Sequence, residues 1–158
     1  MIDQRVGAHF WLSEFLRSDT AVRNGIDNTP HASAMANIIN VLGPGMQRVR
    51  DTLGSPVHIT SGYRSQAVER ALKRKPDTWV STSQHAEGLA ADFVCPQFGT
   101  CRSVVKYLME RSGEIHFDQL IYEGNWVHIS FTARAPRSEV LTAHFLVGGA
   151  VSYSKGLA

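Results

Sequence analysis

The sequence lacks most of the features that mark specialised classes of protein. No apolar run approaches the ~20 residues that a membrane-spanning helix needs. The start, Met1-Ile2-Asp3-Gln4-Arg5, does not have the basic-then-apolar layout of a secretion signal. A chain made in a bacterial cytoplasm, without stable membrane insertion, is therefore expected. Cysteine is scarce: Cys95 and Cys101 are the only two in 158 residues. They are too few for a zinc knuckle and read as reduced, structural thiols, with a disulfide closing the short loop between them as the alternative. Charge of one sign is also missing, with a net charge of +2 and only 19% charged residues. No basic stripe interleaves with stacking aromatics, which argues against a nucleic-acid partner. There is no internal repeat and no low-complexity segment. What is present is 43% hydrophobic residues, enough for one domain over residues 1–158 with a real core. Seven histidines lean the reading toward metal or proton chemistry.

Along the chain, Ser13 and Ser18 are candidate caps for short helices between Phe10 and Arg23, and Ser33 for the next helix. Met35, Ile38, Ile39, Leu42, Met46, Val49 and Leu53 recur in steps of three and four, which puts them on one helical face. Gly43-Pro44-Gly45 interrupts that run without breaking its phase, so a kinked helix is predicted. Val57 to Ser61 alternates like a half-buried strand, and Gln66 to Lys73 reads as a helix. Its basic end, Lys73-Arg74-Lys75, reads as a solvated helix terminus that suits the dipole. A strand runs through Val94 and a helix ends near Arg111. Asp118 to Phe131 reads as a hairpin turning at Gly124-Asn125. In the tail, residues 132–158, the one element expected is a final helix over 138–146.

The chemistry concentrates in Ser83-Gln84-His85-Ala86-Glu87-Gly88-Leu89-Ala90-Ala91-Asp92 and in Trp126-Val127-His128-Ile129-Ser130. Any of these polar residues alone is an ordinary one on a half-buried strand. Together, two neutral imidazoles (His85, His128) and one carboxylate (Asp92) make a zinc site, and three protein ligands leave a fourth position for water. A turn at Gly124-Asn125 puts Ile121 opposite His128. Leu120, Tyr122, Val127, Ile129 and Phe131 then share the core face. Glu123 falls on the other face with Trp126, diagonal to His128, where a general base for the attacking water belongs. Glu87 and Asp118 are weaker candidates for that role. Arg64, between a strand end and a helix start, opposes the helix dipole and suits a substrate oxygen. Ser83 either donates a hydrogen bond in the site or shapes its loop. His9, His31, His58, His116 and His144 fit no ligand spacing and are expected to be structural or solvated.

Three motifs, Ser61-Gly62-Tyr63-Arg64-Ser65, Ser83-x-His85-x-x-Gly88-x-Ala90-x-Asp92 and Trp126-Val127-His128-Ile129-Ser130, occur in that order. They resemble the zinc D-Ala-D-Ala carboxypeptidase and L-Ala-D-Glu endopeptidase family of peptidoglycan peptidases, in its phage or prophage branch. The resemblance covers roughly residues 10–131. It implies an α+β fold of the Hedgehog/DD-peptidase type: a small, mostly antiparallel sheet with helices on one face and the zinc site on the other. It implies one zinc per chain on His85, Asp92 and His128, with Arg64 orienting substrate, Ser83 contacting it and Trp126 walling the cleft. Many members carry an acid three residues before the last histidine, where this chain has Asn125; Glu123 takes that role here. The implied function is hydrolysis of a stem-peptide bond of the bacterial wall, by a monomeric phage endolysin or virion-associated lysin. The alternatives are a carboxypeptidase or dipeptidase trimming free stem peptides, and a zinc-stabilised module without activity.

Overall fold

A computed structural model describes residues 2–158. Strands β1 (Arg5–Gly7) and β2 (Phe10–Trp11) form a small antiparallel ribbon. Short helices α1 (Leu12–Leu16) and α2 (Asp19–Asn24) follow. Ser18 caps α2 as predicted, its hydroxyl accepting from the Ala21 N–H. Ser13 does not cap α1. Trp11 holds that position, its N–H donating to the Glu14 carboxylate at 2.8 Å, while the Ser13 N–H is taken by Asp3. Ser33 is likewise displaced as a cap by His31, whose Nδ1 accepts from the Ala34 N–H.

Helix α3 (Ala32–Asn37) passes into a π-helical turn over Ile38–Leu42 and then into α4 (Gly43–Leu53). Pro44 offers no N–H to the ladder, so the chain widens by one residue per turn just before it and resumes α geometry after it. The apolar face survives the widening: Ile38, Leu42, Met46 and Val49 are all fully buried.

The main sheet has the order β3-β4-β6-β5-β7-β8. Its strands are β3 (His58–Ser61), β4 (Ala90–Val94), β5 (Gln119–Tyr122), β6 (Val127–Ser130), β7 (Glu139–Phe145) and β8 (Val151–Lys155). All neighbours are antiparallel except β5 and β7. The fold is α+β with a mostly antiparallel sheet. Between the strands lie α5 (Gln66–Lys73), α6 (Cys101–Met109) and α7 (Ser112–Ile115). One face of the sheet, with Phe93, Leu120, Val127, Ile129 and Phe131, packs on α3, α4 and α6. Cys95 and Cys101 are free thiols, Cys95 buried in that core.

The tail departs from expectation. Residues 139–145 are strand β7, not a helix, pairing in parallel with β5 and antiparallel with β8. Val140, Leu141 and Thr142 suit a pleated surface. The open edge of β5 supplies the partner, which no local pattern announces. Arg137 fastens the tail by a fork onto Asp118, with contacts of 2.7–3.1 Å. That hydrogen bonding holds the Asp118 carboxyl below its ordinary range.

Gly88 marks where the helical layer meets the segment carrying His85. Its φ is +72°, and a Cβ there would lie 2.5 Å from the Ala34 carbonyl oxygen. Gly88→Ala therefore combines left-handed strain with a backbone clash, and is expected to cost about 2–3 kcal/mol. Denaturant unfolding of the variant beside the parent measures this, and a loss below about 0.5 kcal/mol would contradict the packing described.

Candidate active site

The turn over residues 83–89 carries His85 and is closed by backbone bonds, with Ala86 N–H to Ser83 C=O and Leu89 N–H to Gln84 C=O. Ser83 shapes this loop: its hydroxyl accepts from the His85 N–H at 3.3 Å. The segment after β3 grips His85 from two sides. The Arg64 N–H donates to the His85 carbonyl, and His85 Nδ1–H donates to the Gly62 carbonyl at 2.8 Å. Gly62 is needed there, because a Cβ would sit 2.4 Å from the Phe15 carbonyl oxygen. With Nδ1 carrying the proton, His85 Nε2 presents a lone pair. His85 is only 2% exposed, and burial lowers its pKa, which keeps the ring in the neutral, ligating form.

Asp92 on β4 lies directly across from His128 on β6. His128 Nδ1 is 3.1 Å from Asp92 Oδ1, His85 Nε2 is 3.2 Å from His128 Nδ1, and His85 Nε2 is 3.3 Å from Asp92 Oδ1. A tetrahedral zinc with bonds of about 2.0–2.1 Å requires donor atoms about 3.3–3.4 Å apart. The triangle fits that edge length. Its chemistry fits too, since a carboxylate oxygen and two imidazole nitrogens converge on one another, the donor set that zinc takes. Burial opposes the charge on Asp92, but the two imidazoles outweigh it and hold the carboxyl far below its usual range. Its second oxygen, Oδ2, faces Arg64 Nη1 at 3.7 Å.

The hairpin forms as predicted, with Ile121 opposite His128 and Glu123 N–H donating to the Trp126 carbonyl. Gly124 has φ +76°, a tight-turn conformation that suits glycine. Glu123 is half-buried on the site face and lines the cleft with His128, Trp126 and Arg64. Burial first, and then the charge of Asp92, raise its pKa. A carboxylate so placed is more basic than one in water. Glu87 is exposed, and Asp118 is occupied by Arg137, so neither competes for that role.

Sequence reasoning missed Glu69. It sits on α5 with a fully buried side chain, and its carboxylate accepts from Arg64 Nε at 2.6 Å, Lys73 Nζ at 2.7 Å and the Ser81 hydroxyl at 2.7 Å. Burial pushes its pKa up, but Lys73, Arg64 and Ser81 outweigh that, and the net direction is down. Arg64 thus lies against the first turn of α5, where Glu69 offsets its charge and aims its guanidinium. Lys73 is not a free, solvated helix end: it belongs to this cluster and lines the cleft. The clue in the sequence is the Glu69/Lys73 spacing of four, which looks the same for a surface pair. The cleft has a volume of about 610 Å³ and runs from Arg64 and Lys73, past the triangle, to Trp126, Leu141 and Tyr153.

A His/Asp/His triangle lining a cleft, with a raised carboxylate and a fixed guanidinium beside it, has the donor set and neighbours of a single-metal hydrolytic centre. The match to known families agrees with that class: a profile described as Peptidase M15 covers residues 8–130, and the chain belongs to that family. It is a family of zinc-dependent, D-Ala-D-Ala carboxypeptidase-like peptidases acting on peptidoglycan-type substrates, and the cluster of His85, Asp92 and His128 is compatible with its metal. No curated protein matches the chain closely enough to count as a relative. No helix is long and apolar enough to cross a membrane among the described residues.

Proposed function

We propose that this chain is a monomeric peptidase that hydrolyses a stem-peptide bond of bacterial peptidoglycan, acting as a phage endolysin or virion-associated lysin. The reading is carried by the donor triangle, 3.1–3.3 Å on each edge, sharing one cleft with Glu123 and Arg64. His85, Asp92 and His128 would hold one zinc, which would supply a Lewis acid and lower the pKa of a bound water. Glu123 takes the proton from the attacking water and passes it to the nitrogen of the leaving amine. Arg64, aimed by Glu69, holds a substrate oxygen through its fork. Ser83 keeps His85 in place and lines the same space, and Trp126 forms a wall.

Mass spectrometry of the soluble products from purified sacculi, with and without a zinc chelator, tests this. New amino termini at one stem-peptide bond, lost with chelator and restored by zinc, are expected. Zinc-loaded protein that releases none from sacculi but shortens free stem peptides would be a trimming enzyme instead. Inactivity on both substrates would leave a zinc-stabilised module without catalysis.

A further inference from the structure

The family match ends at residue 130, yet the strands after it build part of the same cleft. The pairing sets Ile121 beside Leu141, and Ala143 beside Tyr153. Side chains alternate along a strand, so Leu141, Ala143 and Phe145 share the face of His128. Because Tyr122 pairs with Thr142, Glu123 continues the row that holds Ala143 and Tyr153. Two strand spacings, about 10 Å, separate the Glu123 and Tyr153 backbones, and only the methyl of Ala143 lies between. A tyrosine side chain reaches over that methyl into the cleft, which Tyr153 lines together with Leu141, Glu123 and Trp126. The phenol feels this neighbourhood: burial, and then the Glu123 and Asp92 carboxylates, push its pKa up. The Trp126 ring packs 5.7 Å from Phe145, tilted by 52°, and ties the β5–β6 turn to the tail.

We infer that the β7–β8 hairpin, Tyr153 foremost, is a substrate-contacting wall of the cleft and takes an uncharged stretch of the stem peptide, on the side of the scissile bond away from Arg64. Apolar Ile121 and Leu141 and the rings of Trp126 and Tyr153 form that end, and the Glu123 carboxylate disfavours an anion there. The cations Arg64 and Lys73 gather at the other end, and the third cation of the lining, Arg137, is taken up by Asp118 at 2.7 Å. Tyr153 is 54% exposed, as an aromatic waiting for a ligand is and a core residue is not.

This inference rests on the peptidase reading, and the experiment separates the two. The zinc-loaded Glu123→Gln chain is titrated calorimetrically with soluble stem-peptide fragments, released from sacculi by a glycan-cleaving enzyme. Adding Tyr153→Ala is expected to weaken binding about tenfold, while adding Tyr153→Phe keeps it within about threefold. In the otherwise native enzyme, Tyr153→Ala raises KM by about the same factor with kcat nearly unchanged, the signature of lost uniform binding. A merely structural residue at the sheet edge would move the unfolding midpoint and not this split. Unaltered affinity with Tyr153→Ala overturns the inference and leaves the peptidase reading standing. A Glu123→Gln parent that binds no fragment overturns the peptidase reading and the inference with it.

Discussion

Replacing Glu123 with glutamine is expected to lower turnover of wall peptides by about 10²–10⁴-fold, the range for loss of a general base, while the chain keeps its metal and its unfolding midpoint. Glutamine preserves the shape and removes only basicity, because an amide takes no proton near neutral pH. Three observations support this carboxylate as the base. It lies on the site face of the hairpin, it shares the cleft with His128 and Arg64, and burial with the Asp92 charge raises its pKa. Asn125, by contrast, is an exposed turn residue. Single-turnover rates and zinc content, measured on one preparation, check the prediction. Rates within about threefold of the parent would move the proton transfer elsewhere, whereas loss of zinc together with activity would make Glu123 part of the metal's support.

Glu69→Ala is expected to destabilise the fold by about 3 kcal/mol, the lower end for removing one partner of a buried ionic cluster. The figure stays at that end because Lys73 is 44% exposed and swings into water, whereas Arg64, at 17%, keeps less of that freedom. The pH dependence carries the signature. The folded pKa of Glu69 is lowered, so its contribution is present above the unfolded glutamate value of about 4.3. It is lost as pH falls through the lower folded value. Denaturant unfolding between neutral pH and about pH 3 should therefore show a stability gap between parent and variant that shrinks on acidification. A constant gap would assign the loss to packing rather than charge.

Much of this was legible because it is local or follows a simple period. The two-residue turn sets Ile121 against His128, and alternation then assigns every side chain from Gln119 to Phe131 to a face. The stretch from His85 to Asp92 joins a turn to a strand, and Gly88 falls where α3 lies close, since a Cβ there would meet the Ala34 carbonyl oxygen at 2.5 Å. What escaped depends on partners distant in sequence. Residues 139–145 are a strand because β5 has a free edge, and helical and extended readings of Val-Leu-Thr-Ala are separated by little intrinsic energy. Ser13 and Ser33 lost their capping positions to Trp11, whose N–H is taken by Glu14, and to His31, which accepts from the Ala34 N–H. Glu69 is invisible as a buried node because its burial depends on Ser81 and Arg64 closing over it.

Strands β4, β6 and β5, which carry Asp92, His128 and the approach to Glu123, are each paired on both sides, with β3 and the tail strands outside them. Backbone hydrogen bonds break first where a strand has one neighbour and water on its other flank. Amide exchange at Asp92 and His128 would then require opening of the sheet itself, whereas β8 opens by fraying alone. The donor triangle is thereby insulated from the fluctuations that move the wall bearing Tyr153.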